Sequence, residues 1–247
     1  MSFLNWIEAN FLSLNVQKTV YLLFSGKKPK FNIPILNLYD SQIFRKSETK
    51  FLGIIIDDKL SWKPHVNFIK SKISRMIGIL FKLNKYLTTS AMKTIYYSLV
   101  FPHLQYGIIF WSGVNKTKFL EIFRLQKKTV RIIGNSDRFE HSEPIFKRFN
   151  ILKLEDVKKL EYCKFISNDI NIHDNFNFRP RISVHTISTR NSSSLNLPLP
   201  RTNILLHSVF YEGIKNFNDL PLDLKSASGE NKFKYMLKSF LLNQYNE

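Results

Sequence analysis

A single cysteine, Cys163, in 247 residues excludes a disulfide framework and a cysteine-based zinc knuckle. Such usage suits a reducing, intracellular compartment, nuclear or cytoplasmic, with Cys163 packing as a small apolar residue. Glycine is also scarce, at 8 residues, and none lies in a phosphate-cradling pattern. The six histidines form no ligand pair at helical spacing, and no Ser or Cys nucleophile motif surrounds them. No apolar run approaches the ~20 residues that span a bilayer. Glu8 and Asn10 interrupt the first segment where a signal peptide needs an apolar core, so none is expected. The shortage of acid carries the most information. Nineteen Asp plus Glu oppose 37 Lys plus Arg, a net charge of +18. That imbalance points to a polyanionic partner, nucleic acid ahead of a membrane surface. The bland alternative is compositional drift, with Lys and Asn accumulating through codon bias.

What is present suffices for a folded core. Hydrophobic residues make up 44% of the chain, including 22 Phe, which is a globular composition. Residues 3–12 read as the end of a helix, with Phe3, Leu4, Ile7, Phe11 and Leu12 near helical spacing. Val20 to Phe24 reads as a strand, 26–30 as a basic turn, and Phe31 to Leu38 as a returning strand broken by Pro34. Ile43-Phe44 and Phe51 to Ile56 supply further strands. After Pro64 the period changes. Val66, Ile69, Ile73, Met76 or Ile77, Leu80, Leu83 and Leu87 recur at threes and fours, predicting one long amphipathic helix. Thr88, Thr89 or Ser90 can cap a second helix running to Phe101, where Pro102 stops it. A third helix covers 116–133 with Gly134 as its stop, Pro144 opens a short fourth, and 154–170 is a fifth. Residues 171–203, rich in Asn, Ser, Arg and Pro, read as a long loop or linker, followed by helices at about 204–216 and 231–243.

The adjacent Asp57 and Asp58 invite a metal-site reading. Two-metal phosphoryl chemistry needs carboxylates from separate elements converging on ions ~4 Å apart. Here a strand leads into the pair, and Lys59-Leu60-Ser61-Trp62 leads on to a helix rather than a return strand. A strand exit with Asp near a helix N-terminus is therefore the favoured reading, and no metal ligands are assigned. Asp137, Glu140, His141 and Glu143 read as a solvated loop. Arg124, Lys127, Lys128 and Arg131 fall on one helical face opposite the apolar stripe, with no acid following Glu121. A solvated face is the ordinary fate of such charges. A surface that neutralises phosphates without reading bases is the functional one.

Three separated signatures occur in order. The first is Trp6, Asn10, Leu12, Leu14-Asn15, Lys18-Thr19 and Phe24; the second is FLGIIIDDKLSWKPHV, residues 51–66. The third is Arg190-Asn191, Pro198, Arg201-Thr202, Ser208, Tyr211, Gly213 and Asn218-Asp219-Leu220-Pro221. Between them, the segment from Ser90 to Gly134 carries Tyr96, Tyr97, Pro102, Tyr106, Gly107 and Trp111. Together they resemble the C-terminal part of a jockey-like non-long-terminal-repeat retrotransposon reverse transcriptase. The resemblance implies a palm remnant followed by a helical thumb and a C-terminal extension. It implies that Asn15 and Lys18 lie near an incoming triphosphate, and that Phe51, Leu52 and Gly53 form part of a primer-grip strand. It also implies that the helices around 66–87 and 116–133 hold the template–primer. In that family the catalytic Ala-Asp-Asp turn and an earlier Asp precede the matched region. No catalytic residue, metal or small-molecule cofactor is therefore expected in this chain, although the complete family enzyme uses Mg²⁺.

The fold class expected is α+β and mostly helical: a small antiparallel palm-remnant sheet, then helices. The domains expected are 1–60 (palm remnant), 61–170 (thumb-like) and 171–247 (linker plus C-terminal helices). The partner expected is the backbone of an RNA–DNA or DNA duplex, with no membrane role. A non-catalytic helical interaction protein, or a fragment without selected function, is the alternative. Segment 1–60 is expected to be marginally soluble.

Overall fold

A computed structural model describes residues 3–25, 35–38, 41–170, 176, 178–183, 194–227 and 229–245. The basic turn at 26–30 and most of the strand expected over 31–38 lie outside those residues, as does the Arg190-Asn191 pair. The chain divides into two compact units, Met1–His65 and Val66–Glu247.

The first unit begins with helix α1 (Phe3–Ala9), shorter than expected; Phe11, at φ 53°, has already left the helix. Strands β1 (Val20–Tyr21), β2 (Leu36–Leu38) and β3 (Ser41–Arg45) form a sheet of order β1–β3–β2. β2 runs antiparallel to β3, with Leu36 opposite Ile43, while β1 joins β3 in parallel, with Val20 opposite Phe44. β4 (Glu48–Phe51) and β5 (Ile54–Asp57) form a separate antiparallel hairpin, Phe51 opposite Ile54. This corrects the single strand expected over Phe51 to Ile56. Leu52 (φ 46°) and Gly53 (φ 84°) make a two-residue turn with both residues left-handed. That turn matches the twist of a hairpin, so the apolar run folds back on itself.

In the second unit, periodicity and packing agree through Leu80, whereas Leu87, expected in the same helix, lies beyond its end and is exposed. α2 (Lys63–Leu83) buries Val66, Ile69, Ile73, Ile77 and Leu80. α3 (Thr89–Ile95) is capped by the Thr88 side chain, which accepts the Ala91 N–H at 3.3 Å. Pro102 does not end this segment. A π-helical turn at Tyr96–Val100 leads directly into α4 (Phe101–Gln105), placing Pro102 in its first turn, where a missing N–H costs little. Gly107, at φ 62°, then turns the chain into α5 (Ile108–Trp111). α6 spans Lys116–Ile133, capped by Asn115. Gly134, at φ −77°, is needed for closeness: a Cβ there would sit 3.0 Å from Ile145, and Asn135 takes the left-handed turn instead. α7 (Glu143–Phe149) follows, with Pro144 in its first turn.

α8 (Leu154–Asn168) is the central helix, buried through Leu154, Val157, Leu160, Tyr162, Cys163 and Ile166. A helix apolar on several sides belongs in a core. It packs against α4 and α5 and against the later α10 (Ile214–Asn218) and α12 (Glu230–Asn243). The helices on either side of the linker therefore share one core. The helix expected at 204–216 is split: α9 (Asn203–Leu206) ends at His207, and a π turn at Val209–Gly213 precedes α10. Gly213 permits this, since a Cβ there would lie 3.1 Å from Ile166. α11 is the short Leu222–Lys225 turn.

The described part of the linker is pinned rather than free. Phe176 stacks 5.3 Å from both Phe165 and Phe210. The Asn218 amide closes on Leu195, accepting its N–H and donating to its carbonyl, both at 2.9 Å. Among the described residues, no helix is long and apolar enough to cross a membrane.

Candidate nucleic-acid interface

The aspartate pair works as part of a clasp. Asp57 is buried, and its two carboxylate oxygens accept the N–H groups of Ser61 at 3.0 Å and Trp62 at 2.9 Å. Those bonds hold a turn in which Leu60 and Trp62 both adopt positive φ. Asp58 pairs with Arg45 at 3.6 Å. His65 is buried, and its Nδ1 accepts the Ile55 N–H at 3.3 Å, so the second signature closes back on its own strand. Burial lowers His65 to about 4, which keeps the ring neutral at physiological pH.

Asn15 and Lys18 are brought together by a 3-10 turn at Val16–Lys18. The Asn15 side chain accepts the Lys18 N–H at 3.1 Å, and the Asn15 carbonyl accepts the Thr19 hydroxyl at 2.9 Å. The Lys18 side chain is exposed. Phe51 and Leu52 sit at the hairpin tip, 61% and 74% exposed, with Gly53 beside them.

In the second unit, α6 buries Phe119, Ile122, Gln126, Thr129, Val130 and Ile133, so its Arg124, Lys127, Lys128 and Arg131 share the opposite face. The four are not equivalent. Arg124 and Lys128 are exposed, one helical turn apart. Lys127 lies 4.4 Å from the Phe123 ring and lines a cleft of about 430 Å³ with Glu143, Lys153 and Tyr245. Arg131 donates through Nε to the Glu140 carbonyl at 2.7 Å. Glu121, the one acid of α6, is taken by Lys70 and by Lys118 at 3.0 Å. Hydrogen bonds from those two lysines hold its carboxyl below the usual range. Sequence periodicity predicts the stripe but not this division, because the partners come from a ring, a loop carbonyl and another helix. A further group, Lys93, Lys234 and Lys238, escapes sequence reading because α3 and α12 are so far apart in the chain. Its only signal is Lys234 and Lys238 at i,i+4 without an acid between them.

Known proteins show the same kinship as the signatures. The chain is 26% identical over 178 residues to an RNA-directed DNA polymerase from mobile element jockey of Drosophila melanogaster, covering 70% of this chain and 19% of that protein. It is 25% identical over 154 residues to a probable RNA-directed DNA polymerase from transposon BS of the same species, covering 61% and 17%. A retrovirus-related Pol polyprotein from a type-1 retrotransposable element R1 of Bradysia coprophila matches at 26% over 120 residues, covering 47% and 12%. Its relatives are retrotransposon reverse transcriptases. The chain spans about a fifth of the length of the jockey relative. No family model and no solved structure matches it. Within this non-long-terminal-repeat kinship, several signature residues have structural tasks: Asp57 and His65 in the clasp, Thr202 capping α9, and Asn218 holding Leu195.

Proposed function

We propose that this chain is the nucleic-acid-gripping part of a retrotransposon reverse transcriptase, holding a template–primer backbone through its helical unit without carrying out polymerisation itself. The observation that carries the reading is the exposed Arg124 and Lys128 pair on α6, on a chain of +18 whose relatives are RNA-directed DNA polymerases. Exposed cations opposite a packed helix face can neutralise phosphates without reading bases. Asn15 and Lys18 are assigned the triphosphate-proximal position, and Phe51, Leu52 and Gly53 the primer-grip position, on the kinship.

Among the described residues no group of three or more His, Cys, Asp or Glu could hold a metal ion, and the aspartate pair is otherwise engaged. Both oxygens of Asp57 are engaged by backbone N–H groups, and Asp58 faces Arg45. No step through a metal is assigned to this chain.

Salt dependence of RNA–DNA duplex binding tests the proposal. Each lost phosphate contact flattens the slope of log K against log salt by about 0.9. Arg124→Gln with Lys128→Gln should flatten it by about 2. Lys127→Gln with Arg131→Gln should do less, because both side chains are already engaged. A contrasting role in protein interaction predicts salt-insensitive or absent duplex binding, and either result removes the proposal.

A further inference from the structure

The π turn that follows Lys93 on α3 meets α12 at Lys238, four residues after Lys234. The Lys238 ammonium lies 5.8 Å from the ring of Tyr97, in the π turn that continues α3. The Tyr97 hydroxyl is anchored on the Asn150 carbonyl at 3.4 Å. Lys238 is half-buried, and its ammonium is held below the usual lysine range, first by burial and then by Lys93 and Lys234.

Lys93, Lys234 and Lys238 differ from the ion-paired lysines of the unit. Lys70, Lys118, Lys153, Lys158 and Lys164 each reach a carboxylate. Among the described residues, Lys93, Lys234 and Lys238 reach none. Neither helix offers one: α3 has no acid, and the only acid of α12, Glu230, lies 4.0 Å from Lys164. Like charges at i,i+4 destabilise a helix, and a half-buried ammonium loses hydration. An anion at this point relieves both penalties. The Tyr97 ring gives Lys238 a cation–π seat while its N–H donors remain available.

We propose that Lys93, Lys234 and Lys238 form a second phosphate-binding site, which takes the sugar–phosphate backbone of a nucleic-acid strand. The site rests on the nucleic-acid reading above and adds a contact to it. It does not share a face with the α6 stripe. Gln126, on the buried side of α6, donates to the Tyr96 hydroxyl at 3.0 Å, while Arg124 and Lys128 lie on the other side. The two sites contact separate stretches of backbone, so their effects add.

The test measures RNA–DNA duplex affinity against salt for the full chain and three variants. Lys93→Gln/Lys234→Gln/Lys238→Gln should flatten the slope by about 2 to 3, at about 0.9 per lost contact. Combining it with Arg124→Gln/Lys128→Gln should give the sum of the two losses. Lys93→Arg/Lys234→Arg/Lys238→Arg should retain the wild-type slope, which a merely structural effect of the substitutions would not predict. In a parallel titration followed by NMR at the Lys238 amine, duplex binding should raise its pKa toward the ordinary lysine value. A wild-type slope in the Gln variant, with a flattened slope in the α6 variant, overturns this site and leaves the nucleic-acid reading standing. Absence of salt-dependent binding by the wild type overturns both. If inorganic phosphate raises the Lys238 pKa but duplex does not, the site takes free anions and the backbone assignment is wrong.

Discussion

The two units hold their conformations by different means. In Met1–His65, Ile7 is the one buried hydrophobic among the described residues, while Phe11, Leu52 and Phe44 are 99%, 74% and 67% exposed. In Val66–Glu247, Trp111, Tyr96, Tyr162 and Phe146 are buried completely. The left-handed residues divide the same way. The first unit places Phe11, Leu52, Leu60 and Trp62 there, whereas the second uses Asn135 and Asn150 at helix ends. Asn tolerates that region, while a bulky residue pays roughly 1–2 kcal/mol for it. The first unit therefore holds its strained turn at Leu60 and Trp62 by polar clasping through Asp57 and His65, and the second keeps a relaxed backbone by apolar packing.

Truncating the second unit's core should have the largest effect. Trp111→Ala removes a buried ring and its N–H bond to the Tyr106 carbonyl at 3.0 Å, and should cost roughly 3–5 kcal/mol in urea unfolding. A cost below about 1 kcal/mol would erase the contrast between units. Acid should act next, and on the first unit. His65 sits at about 4 rather than 6.5, so below 6.5 the unfolded chain takes up a proton that the folded chain refuses. Stability should fall as pH drops from 6.5 to 4, at up to about 1.4 kcal/mol per unit. His65→Asn should flatten that dependence; an unchanged pH profile would show that the ring is not held neutral. Asp57→Ala leaves the Ser61 and Trp62 N–H groups without their acceptor. It should cost about 2 kcal/mol, read by faster amide exchange in residues 54–65. The smallest change should be a gain. Leu52→Asn relieves a positive φ at an exposed turn and should add about 1 kcal/mol to hairpin stability. Destabilisation would mean that the Leu52 side chain packs on something important.

The parts legible in the sequence were those governed by local period and capping. The α6 limits, the Thr88 cap and Pro144 in a first turn follow from spacing and side-chain chemistry alone. Pro102 misled because a π turn shifts the helix register just ahead of it, which no local pattern signals. The FLGIII run predicts one strand because six mostly apolar residues outweigh the Leu-Gly pair that forms the hairpin turn. The linker looked polar and loose, yet Phe176 and Phe178 find Phe210 only once α8 and the second π turn are assembled. The basic stripe was legible as a face of α6. The sheltering of Lys127 and Arg131, and the convergence of Lys93 with Lys238, depend on tertiary neighbours.

The most direct measurement is the affinity of the full chain for an RNA–DNA duplex across a salt series, repeated with duplexes of unrelated sequence. Backbone gripping predicts steep weakening with salt and the same slope for every sequence. Binding that is flat with salt, or that discriminates strongly among sequences, would contradict it.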